Sequence, residues 1–371
     1  MTTAAGTTAM HTMLATPTTP TAPHQGPHGA APRTALVLGA TGGIGGETAA
    51  ALARRGWRVR ALVRDAVGPK ATALRAAHPG LELVAGDAMD AAAVRAAATG
   101  TGVIVHAVNP PGYRNWERLV LPMIDHTIAA ARASGARVLL PGTLYNYRPE
   151  DVPVLRENAP QHATTRKGLI RIALERRLED AAQDGVRSLV LRCGDFFGPR
   201  LGNSWFSQGM VTPGQPVVRV LYPGRRGVGH AWTYLPDAAD AFARLADQEA
   251  GLDPFARFHF AGHWDPDGRA MTAAIARAAG KPDLRVWHMP WAPMRLAAPF
   301  APTVRELLEV HPFWRLPVRL DNARLVAALG FEPNTSLDTA VAATLRGLGC
   351  LPDGSAVDRS GQTTAAAGVV A

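Results

Sequence analysis

The chain has 371 residues, 47% hydrophobic and 19% charged, which suits a water-soluble core in one large domain or two coupled ones. Two cysteines, Cys193 and Cys350, exclude a disulfide framework and a multi-cysteine zinc site, and no apolar run approaches the ~18 residues of a membrane span. The net charge of +9 is carried by scattered Arg, with Lys only at 70, 167 and 281, and no basic block interleaved with aromatics argues for a nucleic-acid partner. The expected setting is reduced and cytoplasmic, with a small-molecule partner and neither nucleic acid nor membrane.

Residues 1–32 hold no Lys, Arg, Asp or Glu and are rich in Thr, Ala, Pro and His. They predict a disordered tail, without the basic start and apolar stretch of a signal peptide. Apolar strand-like runs follow at Ala35–Leu38, Val59–Val63, Leu81–Ala85, Val103–Val108, Val138–Leu140 and Leu189–Arg192. Helical stretches separate most of them, at Ile44–Arg55, Pro69–Ala77, Ala91–Ala98, Glu117–Ser134 and Thr165–Gln183. Gly56, Gly135 and Gly185 sit just past helices, where a left-handed cap needs no Cβ. Strands alternating with helices predict right-handed βαβ units, an α/β fold with a doubly wound parallel sheet of Rossmann type. After residue 200 the texture changes, with six of the eight Trp and a Pro-dense stretch over 282–317. The expected organisation is a nucleotide-binding domain over 33–199, a smaller substrate lobe over 200–350 and a second tail over 351–371.

The first strand runs into Gly39-Ala40-Thr41-Gly42-Gly43-Ile44-Gly45. Glycines at 39, 42 and 45 serve a tight turn, close approach of backbone to a pyrophosphate, and close helix–strand packing. The helix that follows aims its first amides at the phosphates. The position after a strand and before a helix makes this a dinucleotide site. Arg64, just after the second strand, suits the 2′-phosphate of NADP, while Asp65 one residue later keeps NAD open. NADP is the preferred reading.

Several further motifs resemble extended or atypical short-chain dehydrogenases/reductases, the NAD-dependent epimerase/dehydratase family. They are Gly86-Asp87, Leu191-Arg192-Cys193-Gly194-Asp195-Phe196-Phe197-Gly198-Pro199, Trp232-Thr233-Tyr234-Leu235-Pro236-Asp237-Ala238-Ala239, and Leu329-Gly330-Phe331-Glu332-Pro333. The likeness covers roughly residues 34–349. It implies that Asp87 and Ala88 lie near the adenine, that Ala107, Val108 and Asn109 pass the nicotinamide ribose, and that the loop from Cys193 through Gly194 to Phe196 borders the nicotinamide. It is compatible with a homodimer. Asp237 reads as an N-cap of the next helix rather than a catalytic group.

The family's catalytic set is a Ser/Thr after the fifth strand and a Tyr-x-x-x-Lys pair on the next helix. Thr143 matches the Ser/Thr slot and Tyr147 the tyrosine that commonly follows it. The next helix has no tyrosine. Aligning Glu175 with the family's frequent glutamate puts Lys167 in the tyrosine slot and Arg171 in the lysine slot; a one-turn alternative puts His162 and Arg166 there. Ile170, Leu174, Leu178 and Ala181 mark the buried face of that helix, and Lys167 falls within the same arc. The candidate proton donors are Tyr145, Tyr147, a Lys167 whose pKa is lowered by burial beside Arg171, and Tyr113 in the loop after the fourth strand. His259 and His263 lack a third ligand and give no metal site. The function these residues imply is an NAD(P)-dependent oxidoreductase or epimerase/dehydratase acting on a small carbonyl, alcohol or sugar-like substrate, Thr143 holding the substrate oxygen and Lys167 polarising it or binding the cofactor ribose. The missing Tyr-x-x-x-Lys pair keeps a non-catalytic NAD(P)-binding sensor or scaffold as the alternative.

Overall fold

The structure is a computed structural model that describes residues 33–110, 115–202 and 204–352. Both expected tails, save residues 351 and 352, and Tyr113 lie outside the described residues. In chain order the first elements are β1 (Thr34–Leu38), α1 (Gly43–Arg54), β2 (Arg58–Val63), α2 (Pro69–Ala77), β3 (Glu82–Ala85), α3 (Ala91–Ala97), β4 (Val103–His106), α4 (Trp116–Ser134) and β5 (Arg137–Gly142). Next come β6 (Val154–Leu155), α5 (Arg166–Gln183), β7 (Ser188–Arg192), β8 (Asp195–Phe197), β9 (Arg219–Tyr222), β10 (His230–Tyr234), α6 (Leu235–Asp247), β11 (Phe255–His259) and β12 (His263–Asp265). The chain closes with α7 (Ala270–Ala278), β13 (Arg285–His288), α8 (Trp291–Ala297), α9 (Pro302–Leu308), α10 (Pro312–Arg315), β14 (Arg319–Leu320), α11 (Ala323–Leu329) and α12 (Leu337–Gly347).

Seven strands form one parallel sheet in the order β11-β7-β5-β4-β1-β2-β3. Strands β1, β4, β5 and β7 are buried almost throughout, as a sheet covered on both faces requires. One face packs an Ala- and Leu-rich layer from α1 and α6, with Leu325 of α11. The other packs α4 and α5 through Ile124, Ile128, Ile170, Leu174 and Leu178. Local chemistry sets the ends: Pro69 opens α2, the Asp90 carboxylate caps α3, and Gly135 ends α4 with φ +73°. Strand β4 stops at His106, two residues short of the predicted Val108, because the chain leaves the ladder at the sheet edge where β1 also ends.

The chain after residue 200 contributes to two places. Helix α6 packs against α1, and β11 extends the large sheet beside β7. The remainder, joined by β8 and its Phe197 from just before residue 200, builds a second core around Phe197, Phe206, Trp232, Met271 and Trp314, with a three-stranded sheet β12-β10-β8 and a pair β13-β9. Asp237 is not the N-cap of α6: that position is Tyr234, and the Asp237 carboxylate instead accepts hydrogen bonds from the amide and hydroxyl of Thr335, both at 2.7 Å. No described helix is long and apolar enough to cross a membrane.

Candidate active site

Strand order reverses between β1 and β4, and the crevice beyond the carboxyl ends of these strands is where a doubly wound sheet binds its ligand. The three motif glycines divide their work there. Gly39 takes φ +87° to turn the chain, a conformation open mainly to glycine. A Cβ on Gly45 would fall inside the Gly39 carbonyl, so its absence lets α1 pack on the turn. Gly42 and Thr41 are exposed, and a Cβ on Gly42 would meet only the Gly39 oxygen at 3.3 Å. Helix α1 has no side-chain cap and no acidic residue in its first turn, so the amides around Gly43 and Ile44 are left for an anion. These residues fit a dinucleotide pyrophosphate.

At the end of β2 both Arg64 and Asp65 are exposed. The Asp65 carboxylate folds back on its own turn, accepting from the amides of Val67 at 3.0 Å and Gly68 at 2.8 Å. Asp87 likewise accepts from the Met89 amide at 2.9 Å, while the buried Ala88 offers its carbonyl to His126 Nδ1 at 3.0 Å. Past β4, Ala107 and Val108 are half-buried, and the Asn109 side-chain oxygen accepts from Arg171 Nη2 at 3.2 Å. Arg171 also lies 4.8 Å over the Trp116 ring. Behind it, His106 Nδ1 bonds the Thr127 hydroxyl at 2.8 Å, and burial, with Arg171, lowers its pKa to about 3.

The loop after β5 rests on a buried charge network. Arg192, at the end of β7, pairs with Glu175 of α5 at 2.7 Å, and both are nearly inaccessible to water. The other Glu175 oxygen accepts from Asn146 at 2.9 Å, and Gln161 donates to the carboxylate at 2.7 Å. Arg192 also donates to the Thr143 carbonyl and lies 5.0 Å over the Tyr147 ring. Thr143 is half-buried, its hydroxyl accepting from the Tyr145 amide at 3.3 Å. Tyr145 is half-buried, its ring 5.8 Å from Phe313. Tyr147 is enclosed, and burial raises its pKa.

Lys167 is buried on the inner arc of α5, and its ammonium is held by two carboxylates. It pairs with Glu306 and, at 3.4 Å, with Glu309, and it donates to the Glu306 carbonyl at 3.0 Å. Arg166 pairs with Glu306 at 2.7 Å. These acids lie some 140 residues downstream, and no local signal in the sequence links them to Lys167. The turn Cys193–Phe196 is stitched to β10, the Gly194 amide donating to the Thr233 hydroxyl at 3.0 Å. Phe196 packs against the sheet core. Burial pushes the Cys193 thiol up, which makes it a packing group rather than a nucleophile. His259 is buried with Nδ1 3.2 Å from the Leu155 carbonyl.

The strand order and the open glycine turn define a Rossmann-type nucleotide-binding protein. A family model for NAD(P)H-binding domains matches residues 39–180. A Streptomyces protein named 3-diazoavenalumate denitrifying reductase is 31% identical over 238 residues, which span 58% of this chain and 72% of that protein. Among solved structures, a putative epimerase from Burkholderia cenocepacia matches with TM-score 0.65 at 19% identity, over 86% of this chain and 99% of that one. A dTDP-glucose 4,6-dehydratase from Streptomyces venezuelae, solved with NAD, matches with TM-score 0.63 at 18% identity, over 85% and 96%. The chain belongs to the NAD(P)-binding family of this Streptomyces reductase, and the solved structures share its Rossmann-type fold.

Proposed function

We propose that the chain is an NADPH-dependent reductase whose hydride transfer takes no proton from a phenol on α5. The observation that carries this reading is the occupant of the family's tyrosine slot. By resemblance that slot is Lys167, and its ammonium is committed to Glu306 and Glu309. One turn on, Arg171 stands in the lysine slot and bonds Asn109, as a group holding the nicotinamide ribose would. When bound, the cofactor supplies a hydride. The protein orients the acceptor against it, with Thr143 aligning a polar atom and Gly194 and Phe196 walling the nicotinamide side. Ala107 and Val108 border the ribose, and Asp87 and Ala88 the adenine.

The name of the Streptomyces relative joins reduction to denitrification of a diazo compound. A diazonium acceptor balances without an added proton: R–N2+ and hydride give R–H and N2. We take a diazo-bearing acceptor as the substrate class. A carbonyl acceptor would instead need a proton, and Tyr145 is the better-exposed phenol of the loop for it. Selection of NADPH rests on Arg64, which is exposed at the end of β2, while Asp65 spends one oxygen on its own turn.

The test is a fluorescence titration with NADPH and NADH, followed by turnover with deuterated NADPH and a diazo acceptor. NADPH is expected to bind at least about tenfold more tightly, worth about 1.4 kcal/mol, and Arg64→Ala to remove that preference while leaving NADH affinity in place. The product should carry deuterium at the carbon that lost nitrogen. Preference for NADH would return selectivity to Asp65. Tight binding with no turnover on diazo or carbonyl acceptors would favour a sensor instead.

A further inference from the structure

A cavity of about 370 Å³ opens in the second lobe, among the Gly224–Arg226 turn, the end of β13 and helix α10. Its volume lies in the range of small-ligand sites. Two of its walls are flat and fixed. Trp314 is stacked on His230 at 3.7 Å with an 8° angle between rings. Trp291 lies 4.1 Å from His311 and anchors its indole N–H on the Pro223 carbonyl at 2.8 Å.

The lining charge is of one sign. Arg225, Arg226 and Arg315 all border the cavity, and among the described residues none has a carboxylate within ion-pair distance. Arg226 is positioned: its Nε donates to His288 Nε2 at 3.1 Å, and His288 Nδ1 lies 2.9 Å from the Gly224 carbonyl. Burial, then Arg295 and Arg315, lowers the pKa of His311 to about 4. His311 therefore adds no positive charge at neutral pH to that of the three guanidinium groups. Guanidinium forks match a carboxylate, and indole faces match a conjugated plane.

Packed side chains link the cavity to the candidate active site. Behind Trp314, His230 Nε2 bonds Asp195 at 2.8 Å, within the turn that would border the nicotinamide. The neighbouring residue on α10, Phe313, packs on Tyr145. We infer that this cavity anchors the carboxylate of a planar, conjugated organic acid, with Arg226 and Arg315 taking the charge and the partly exposed Trp291 the plane, while the buried Trp314 closes the floor. The inference deepens the reductase reading and rests on it only for which end of the acid meets the hydride.

The experiment is calorimetric titration of the full chain with trans-cinnamate, its neutral amide cinnamamide, and uridine diphosphate. Cinnamate should bind, with cinnamamide weaker by about tenfold or more, the loss expected when a charge-assisted contact is removed. Arg226→Ala and Arg315→Ala should each weaken cinnamate by about tenfold and leave NADPH affinity unchanged, which also reports that the variants fold. Equal binding of acid and amide, variants with unaltered affinity, or preference for uridine diphosphate would each overturn the inference. Loss of NADPH binding in the wild type would sink the reductase reading while leaving the cinnamate result to stand on its own.

Discussion

Arg192 and Glu175 are two full charges held away from water, so removing either one leaves the other without compensation. Glu175→Ala is expected to cost about 3–5 kcal/mol of stability in urea unfolding, the range for an orphaned buried charge. The double replacement Glu175→Leu with Arg192→Met should cost much less. If the single and double variants lose equal stability, the pair is not coupled. The same two residues hold the carbonyl of Thr143 and the side chain of Asn146, so a Thr143 loop freed by Glu175→Ala should also bind substrate less tightly. Of this arrangement, Glu175 and Thr143 could be singled out by resemblance to the family. Their joining through Arg192 could not, because the partners come from three separate elements, brought together only when β5, α5 and β7 assemble.

At the scale of elements, the glycine turn separates two functions that a motif alone merges. Gly45 serves packing, and Gly42 faces the crevice. Gly45→Val should push α1 off the Gly39 turn and lower the unfolding midpoint, an overpacking cost of about 1–3 kcal/mol. Gly42→Val should fold with near-normal stability yet lose NADPH, so that 100 Kd of cofactor no longer adds its ~2.7 kcal/mol. A Gly42→Val protein still stabilised by cofactor would mean that the phosphates sit elsewhere. The six apolar runs and five helical stretches read before residue 193 correspond to structural elements because the helical ones are long enough to carry a period and most are bounded by Gly, Pro or a capping side chain such as Asp90 or Thr165. The pairs β6 with β14 and β9 with β13 have no such signature. They are two to four residues long, and their register is set by partners more than 60 residues away.

Across the whole molecule, non-local contacts decide the character of the site. Lys167 meets Glu306 and Glu309 only because α9 folds back over the start of α5, and β11 enters the main sheet from a stretch whose composition resembles the second lobe. Folding also buries imidazoles far apart in the sequence. His106 and His259 are held near a pKa of about 3, mainly by burial, against an ordinary value of 6.5. The folded state therefore binds fewer protons than the unfolded chain between these values. The stabilisation is complete above pH 6.5 and is lost as pH falls from 6.5 towards 3. Each histidine should contribute about 2 kcal/mol to the drop in stability from pH 7 to pH 5, at ~1.36 kcal/mol per unit. Burial raises the pKa of Glu157 and Glu332, and these carboxyls act with the opposite sign, so the total profile does not isolate the imidazoles. The decisive comparison is His106→Asn, which retains a donor for the Thr127 hydroxyl. Its loss of stability between pH 7 and pH 5, read from urea midpoints, should be about 2 kcal/mol smaller than that of the wild type. An identical loss in both proteins would mean that His106 takes up its proton without unfolding.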